Sequence, residues 1–216
     1  MSLALQTSYA QEQEEKPRKN LFGVGTSIGG PAQNLGAYMS VKLGSQDFEL
    51  KASPMINFFY EHNIATISDN VYMAIGGNLM MKRYTLKASD EYHSGDINWS
   101  YDYKYEGTCT INLTSYAARF SFNYVHPDNA KFRVYAALLI GSTSFDAKSE
   151  DKVTITHSYN GKSETETDKT PSVAKVSVTH VQAYAGIRYF FSKPLAFYAE
   201  TGYGLSYLNL GLNLRL

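Results

Sequence analysis

The chain has 216 residues with 20 Lys+Arg against 20 Asp+Glu, so it lacks the basic excess or stripe of a nucleic-acid-binding protein. Its single cysteine, Cys109, excludes a disulfide-stapled scaffold. Tyr at 18, Phe at 11 and Gly at 16, beside 6 Pro, favour β-structure with aromatic belts over a helical bundle. No apolar run approaches the ~18 residues of a transmembrane helix, and Val134 to Ile140 is the longest.

At the N-terminus, Met1 to Gln11 reads as the back end of a secretory signal. Ser8-Tyr9-Ala10 has the small-x-small form of a cleavage site, and a polar Glu/Gln run follows. Residues 1–19 are therefore assigned to a signal-peptide remnant and polar leader, and residues 20–216 to one barrel domain.

From there the dominant signal is alternation with period two, which puts successive side chains on opposite faces of a strand. Phe22, Val24, Thr26 and Ile28 share one face against Gly23, Gly25 and Ser27. Pro54, Ile56, Phe58 and Tyr60 oppose Met55, Asn57 and Phe59 in a second segment. A third runs from Val71 to Lys82, a fourth from Ser115 to Tyr124, and a fifth from Phe132 to Gly141. Val181 to Tyr189, Leu195 to Tyr203 and Tyr207 to Leu216 complete the set. In the last, Leu208, Leu210, Leu212, Leu214 and Leu216 share a face that a helix would scatter around its axis.

The connections alternate in length. Glu61 to Asn70, His126 to Lys131 and Ser192 to Pro194 are short links at one end. Gly29 to Leu50, Tyr84 to Thr110 and Ser142 to Thr179 are long and polar, and only the last link at the other end, Gly204 to Ser206, is tight. Transmembrane barrels sort their loops in this way, whereas a soluble sandwich has no reason to. Within the third long connection, Asn160-Gly161 between β-prone polar segments is a two-residue hairpin signal, so strands five and six are expected to continue as a water-exposed ribbon. Asp96 to Tyr105 alternates aromatic and polar residues and extends strand four in the same manner.

These segments together resemble the small outer-membrane β-barrel family of the OmpX and OmpA-membrane-domain kind. The resemblance spans roughly residues 20 to 216 and rests on the eight amphipathic segments, the loop asymmetry and the closing stretch Phe197 to Leu216. The pair Asn57-Phe58-Phe59-Tyr60-Glu61 and Ser68 to Gly76 is similar to a strand-turn-strand common there. One departure is the terminal Leu216, where such chains usually carry an aromatic residue. The resemblance implies an all-β, eight-stranded antiparallel up-and-down transmembrane β-barrel of the outer membrane, with short periplasmic turns and longer extracellular loops.

With the apolar face toward lipid, Lys82, Arg119, Arg133, Arg188, Arg215 and Glu200 point into the lumen together with Asn57, Asn78, Asn123, Asn209 and Asn213. An eight-stranded barrel is only wide enough for side chains to fill, so charges there must pair. Glu200 is expected to be bridged by arginine, Arg119 and Arg188 being the first candidates. The inward groups carry a cationic excess, which would favour anions if a pathway opened. Tyr116, Tyr124, Tyr189, Tyr203, Phe58 and Tyr60 fall near strand ends, where an aromatic belt sits.

No catalytic, cofactor or metal site is assigned. His62, His93, His126, His157 and His180 show no metal-ligand spacing, and Gly76-Gly77 lies mid-strand rather than in a phosphate loop. Cys109 reads as a half-buried strand residue. The function expected is a structural or surface-interaction, adhesion-like role exercised through the loops by a monomer. Lipopolysaccharide and a host or cell-surface ligand are the expected partners. Against it stand an outer-membrane enzyme acting on lipid A or on protein, a narrow anion-preferring pore, and a soluble lipocalin-type barrel. The last inverts the two faces, and alternation alone does not say which face is inside.

Overall fold

The computed structural model describes residues 20–29, 47–95, 99–160 and 162–216. The leader assignment, and residues 30–46 of the first long connection, lie outside them. Nine strands follow in order: β1 (Asn20–Ile28), β2 (Asp47–Ala52), β3 (Met55–Ser68), β4 (Val71–Gly95), β5 (Trp99–His126), β6 (Asn129–Tyr159), β7 (Lys162–Phe190), β8 (Leu195–Tyr203) and β9 (Leu208–Arg215).

Eight of these close a ring. From β3 to β9 each strand pairs antiparallel with the next, and β1 bridges β3 and β9. The product is an all-β, eight-stranded antiparallel up-and-down barrel with no unpaired edge in its wall. The ninth strand, β2, pairs with Tyr84–Ser89 of β4 outside the ring. It falls within a stretch expected to be loop, although Leu50 and Ala52 alternate with Glu49 and Lys51 there.

One end of the barrel carries short turns. Asp69-Asn70 joins β3 to β4, Pro127-Asp128 joins β5 to β6, and a short link joins β7 to β8. The first is tighter than expected, because β3 runs on through Glu61 to Ser68 with two register shifts rather than ending at Tyr60.

At the other end four strands continue past the ring. Strands β4, β5, β6 and β7 have 25, 28, 31 and 29 residues, whereas β1 and β8 have 9 each. A membrane-crossing strand needs about 9–11 residues, and at ~3.3 Å per residue the 31 of β6 reach roughly 100 Å. The surplus forms a paddle of β2, β4, β5, β6 and β7. Its β6–β7 turn uses Asn160 at φ 47°, the left-handed geometry of a tight hairpin.

Burial fixes which face is inside. Phe22, Val24, Phe58, Leu79, Phe120, Leu138, Ile187 and Leu212 point outward and are exposed, while Asn57, Arg119, Asn123, Arg188 and Glu200 are buried. This is the inverse of a soluble ligand-carrying barrel. Tyr116, Tyr124, Tyr189 and Tyr203 are also on the outside, toward the ends of this apolar band.

Inward glycines make room for inward large side chains, the small-against-large alternation a narrow barrel requires. A Cβ on Gly23 would overlap the Phe59 ring, and one on Gly186 would overlap the Tyr135 ring.

Candidate functional site

The barrel interior is layered. At mid-height, β3, β5, β7 and β8 each turn one charged side chain inward, because Glu61, Arg119, Arg188 and Glu200 occupy the inward parity of their strands. Arg119 donates from Nε to Glu61 Oε1 at 2.7 Å and from its Nη2 to Glu200. Arg188 donates from Nη2 to both Glu61 oxygens at 2.9 Å and from Nη1 to Asn123 Oδ1 at 2.6 Å. The Tyr135 hydroxyl donates to Glu200 Oε1 at 2.8 Å, and Asn209 donates to the other oxygen at 3.2 Å. Arg188 stacks 3.7 Å over the Tyr135 ring and Arg119 4.4 Å over the Phe59 ring. All four charges are out of contact with solvent. Two cations and two anions sum to zero, which is how a charge layer persists out of reach of bulk solvent.

Of the six charges expected inside, the structure therefore brings together Arg119, Arg188 and Glu200. Arg188 reaches Glu61 rather than Glu200. Arg133 lies nearer the short-turn end, donating to the Tyr72 hydroxyl at 2.7 Å and stacking on Phe190. Arg215 lies at that rim, half-buried, donating to the Lys193 carbonyl at 3.1 Å and stacking on the same Phe190 ring. Lys82 sits at the opposite end over the Tyr84 ring at 4.9 Å. Glu61 is the residue that sequence reading missed. Its signal was the continued alternation Met55, Asn57, Phe59, Glu61. With it, the mid-height layer is balanced rather than cationic.

Toward the paddle the interior turns apolar. Met55, Met80, Leu113 and Leu139 form a buried cluster with Tyr135 and Tyr184, and Leu205 of the β8–β9 turn packs against it. That turn is pinned by Gln182, whose Oε1 accepts from the Leu205 N–H at 3.3 Å and the Tyr184 hydroxyl at 2.7 Å.

Beside this plug, Ser115 Oγ lies 2.9 Å from His180 Nε2, a serine–histidine pair the sequence does not announce. With its oxygen committed to two donors, Gln182 presents Nε2 to His180 Nδ1 at 3.1 Å. The same Gln182 Nε2 lies 3.4 Å from His180 Nε2, so one amide reaches both ring nitrogens. The side-chain partners of the ring among the described residues are a serine and an amide rather than a carboxylate. Among the described residues no His/Cys/Asp/Glu group has the arrangement of a metal site.

The paddle has two faces. On the outward one, Lys104 pairs with Glu91 and Glu106, Lys152 with Glu106, and Lys175 with Asp146. The two lysines beside Glu106 hold its carboxyl below the usual range, and Lys104 is held above its own. The inward face, which continues the lumen wall, carries Tyr101, Tyr103 and Tyr105. There the Tyr105 hydroxyl donates to Asp151 at 2.8 Å, which holds its pKa above the ordinary tyrosine value and keeps it protonated. Cys109 is half-buried on the same face opposite Leu86 and Ser149, and burial, with Asp151, pushes its thiol up.

No family model matches the chain, and none of the curated proteins compared with it matches. Among solved structures it is similar to the crystal structure of Ail, the attachment invasion locus protein of Yersinia pestis. The identity is 13%, the match covers 92% of this chain and 95% of that chain, and the TM-score is 0.37. At that identity and score, the fold and the layers described above rest on this chain's own residues.

Proposed function

We propose that the protein is an integral outer-membrane β-barrel whose barrel is a non-conducting anchor and whose paddle performs a surface-interaction, adhesion-like role outside the cell. The observation that carries this reading is the continuity of β4 to β7, which leave a wall dressed in apolar side chains and run on as a polar sheet with no break in pairing. An apolar outside around a charged inside has no stable place in water, and lipid is the solvent that suits it. An apolar groove of ≈ 1080 Å³ over that outside, lined by Val24, Phe58, Leu79, Tyr116 and Ile140 among others, would fill with acyl chains.

The short turns then face the periplasm. Arg83 and Lys87, on the outward parity of β4 just past Met81, stand where lipopolysaccharide phosphates would lie. A ring with no free edge supports a monomer. The charge layer and the apolar plug favour an anchor over an anion-preferring pore, and a Ser115–His180 pair backed by an amide rather than a carboxylate favours it over an enzyme. No cofactor enters this reading.

Fractionation of expressing cells, followed by gels run with and without boiling, tests the proposal. The expected result is a band confined to the outer-membrane pool whose unboiled form migrates differently. A soluble protein without a heat-dependent shift would overturn it.

A further inference from the structure

The two faces of the paddle differ in chemistry, and strand parity sorts them. The outward face carries lysines and carboxylates in comparable number, laced by the ion pairs given above. Lys51 and Glu49 of β2 add another at 2.9 Å. On the inward face, Tyr101, Tyr103 and Tyr105 of β5 sit across from Ser94, Tyr92 and Asp90 of β4, and across from His157, Ile155 and Val153 of β6. Trp99 and Tyr159 face each other at the tip. Tyr92, Trp99 and Tyr159 are 58%, 46% and 66% exposed, large aromatic surface for a soluble sheet to leave in water.

Beside this aromatic row the inward charges are predominantly negative. Glu164, Glu166 and Asp168 of β7 lie across from His157, Ile155 and Val153, and Asp151 and Asp90 lie further down. Lys162, at the hairpin turn, is the one lysine of this face among the described residues. Among the described residues the ion pairs of the paddle fall on the other face, and none includes Glu164, Glu166 or Asp168. Val153 and Ile155 with Glu166, Thr167 and Asp168 line an open concavity of ≈ 470 Å³, two aliphatic side chains beside two carboxylates. That combination suits a side chain with an aliphatic stem and a cationic head. The neighbouring rings offer cation–π contact at low entropic cost.

We propose that this inward face is the binding surface of the paddle, and that its partner is an extended basic segment of another protein. One lysine or arginine would seat between Val153, Ile155 and the Glu166–Asp168 pair, and further cationic groups would lie along Tyr101, Tyr103 and Tyr105. The inference rests on the reading of the paddle as the interacting part and adds to it a face and a partner chemistry.

The chain's one tryptophan, Trp99, is a built-in reporter at the edge of this face. The test uses the full chain refolded in detergent, each sample first checked for its heat-dependent gel shift. Emission of Trp99 is followed while a peptide of alternating Lys and Val is added. A Glu/Val peptide of equal length and a charge-matched variant pair serve as controls. The expected result is a saturable, salt-sensitive change with the basic peptide and none with the acidic one. The inward variant E164Q/E166Q/D168N should bind about tenfold more weakly, the yield of three exposed ion pairs. The outward variant E49Q/E91Q/E150Q, which removes the same charge, should bind as the parent does. Equal weakening by both variants would reduce the effect to net charge and overturn the assigned face. A response to the acidic peptide, or to neither, from a sample that shows the heat shift would overturn the inference alone. A sample without the shift would overturn the barrel beneath it.

Discussion

Arg119 of β5 donates from Nε to Oε1 of Glu61 on β3 at 2.7 Å, with both side chains out of reach of solvent. Glu61 also takes two hydrogen bonds from Arg188, and Arg119 holds Glu200, so each bond fixes the others. A buried ion pair contributes little net stability against apolar packing, yet removing one partner strands the other.

The quartet should therefore be unforgiving to single substitutions. Glu61→Gln leaves two guanidinium groups with one carboxylate, and a loss of about 3–5 kcal/mol is expected for a broken buried pair. Arg133→Gln, nearer the short-turn end, should cost much less. Urea titration of the refolded barrel, followed by the gel shift, checks the order.

Gly186→Val addresses the same layer through packing. A Cβ at Gly186 already overlaps the Tyr135 ring, and Tyr135 is the donor to Glu200. Overpacking of about 1–3 kcal/mol is expected, whereas Ala185→Val, on the outward parity, should be tolerated. Both are read by the same titration.

The plug of Met55, Met80, Leu113 and Leu139 stands beside a neutral charge layer, an arrangement that opposes a continuous water column. Planar bilayers containing the purified protein should show no porin-sized conductance steps. Regular steps with anion preference would restore the pore reading.

Cys109 supplies a pH prediction. Its thiol is raised above the ordinary 9.0, burial being the larger cause and Asp151 the second. The reactive thiolate is therefore scarce below that value and grows only as pH climbs past it. Alkylation in native detergent micelles should be slow at pH 8 and accelerate beyond 9, while the unfolded chain accelerates earlier. Fast labelling at pH 7 would contradict the assigned burial.

Much of the fold is legible in the alternation, because an apolar outside and a polar lumen impose opposite chemistries on the two parities of each wall strand. Legibility fails where that contrast weakens. In β3 the inward Met55 and Phe59 blur the faces, so the alternation alone ends the strand at Tyr60 and leaves the second anion of the quartet, Glu61, in the turn. In the paddle both faces meet water, and period two survives only as Tyr101, Tyr103 and Tyr105 against polar neighbours. Asn160-Gly161 still marks the hairpin, because a left-handed turn has its own chemistry. Which parity is inside needed the closed ring. The partners of Arg188 needed the register, since Glu61 lies 127 residues away along the chain.

Orientation across the membrane is the central claim, and cysteine labelling in living cells tests it most directly. In a Cys109→Ser background, one cysteine is placed at Ser163 on the paddle and, in a second variant, at Asp128 in a short turn. A membrane-impermeant maleimide should label the Ser163 position in intact cells and the Asp128 position only after the outer membrane is opened. Labelling of Asp128 first, or of neither site until the cells are lysed, would contradict a barrel that holds its paddle outside.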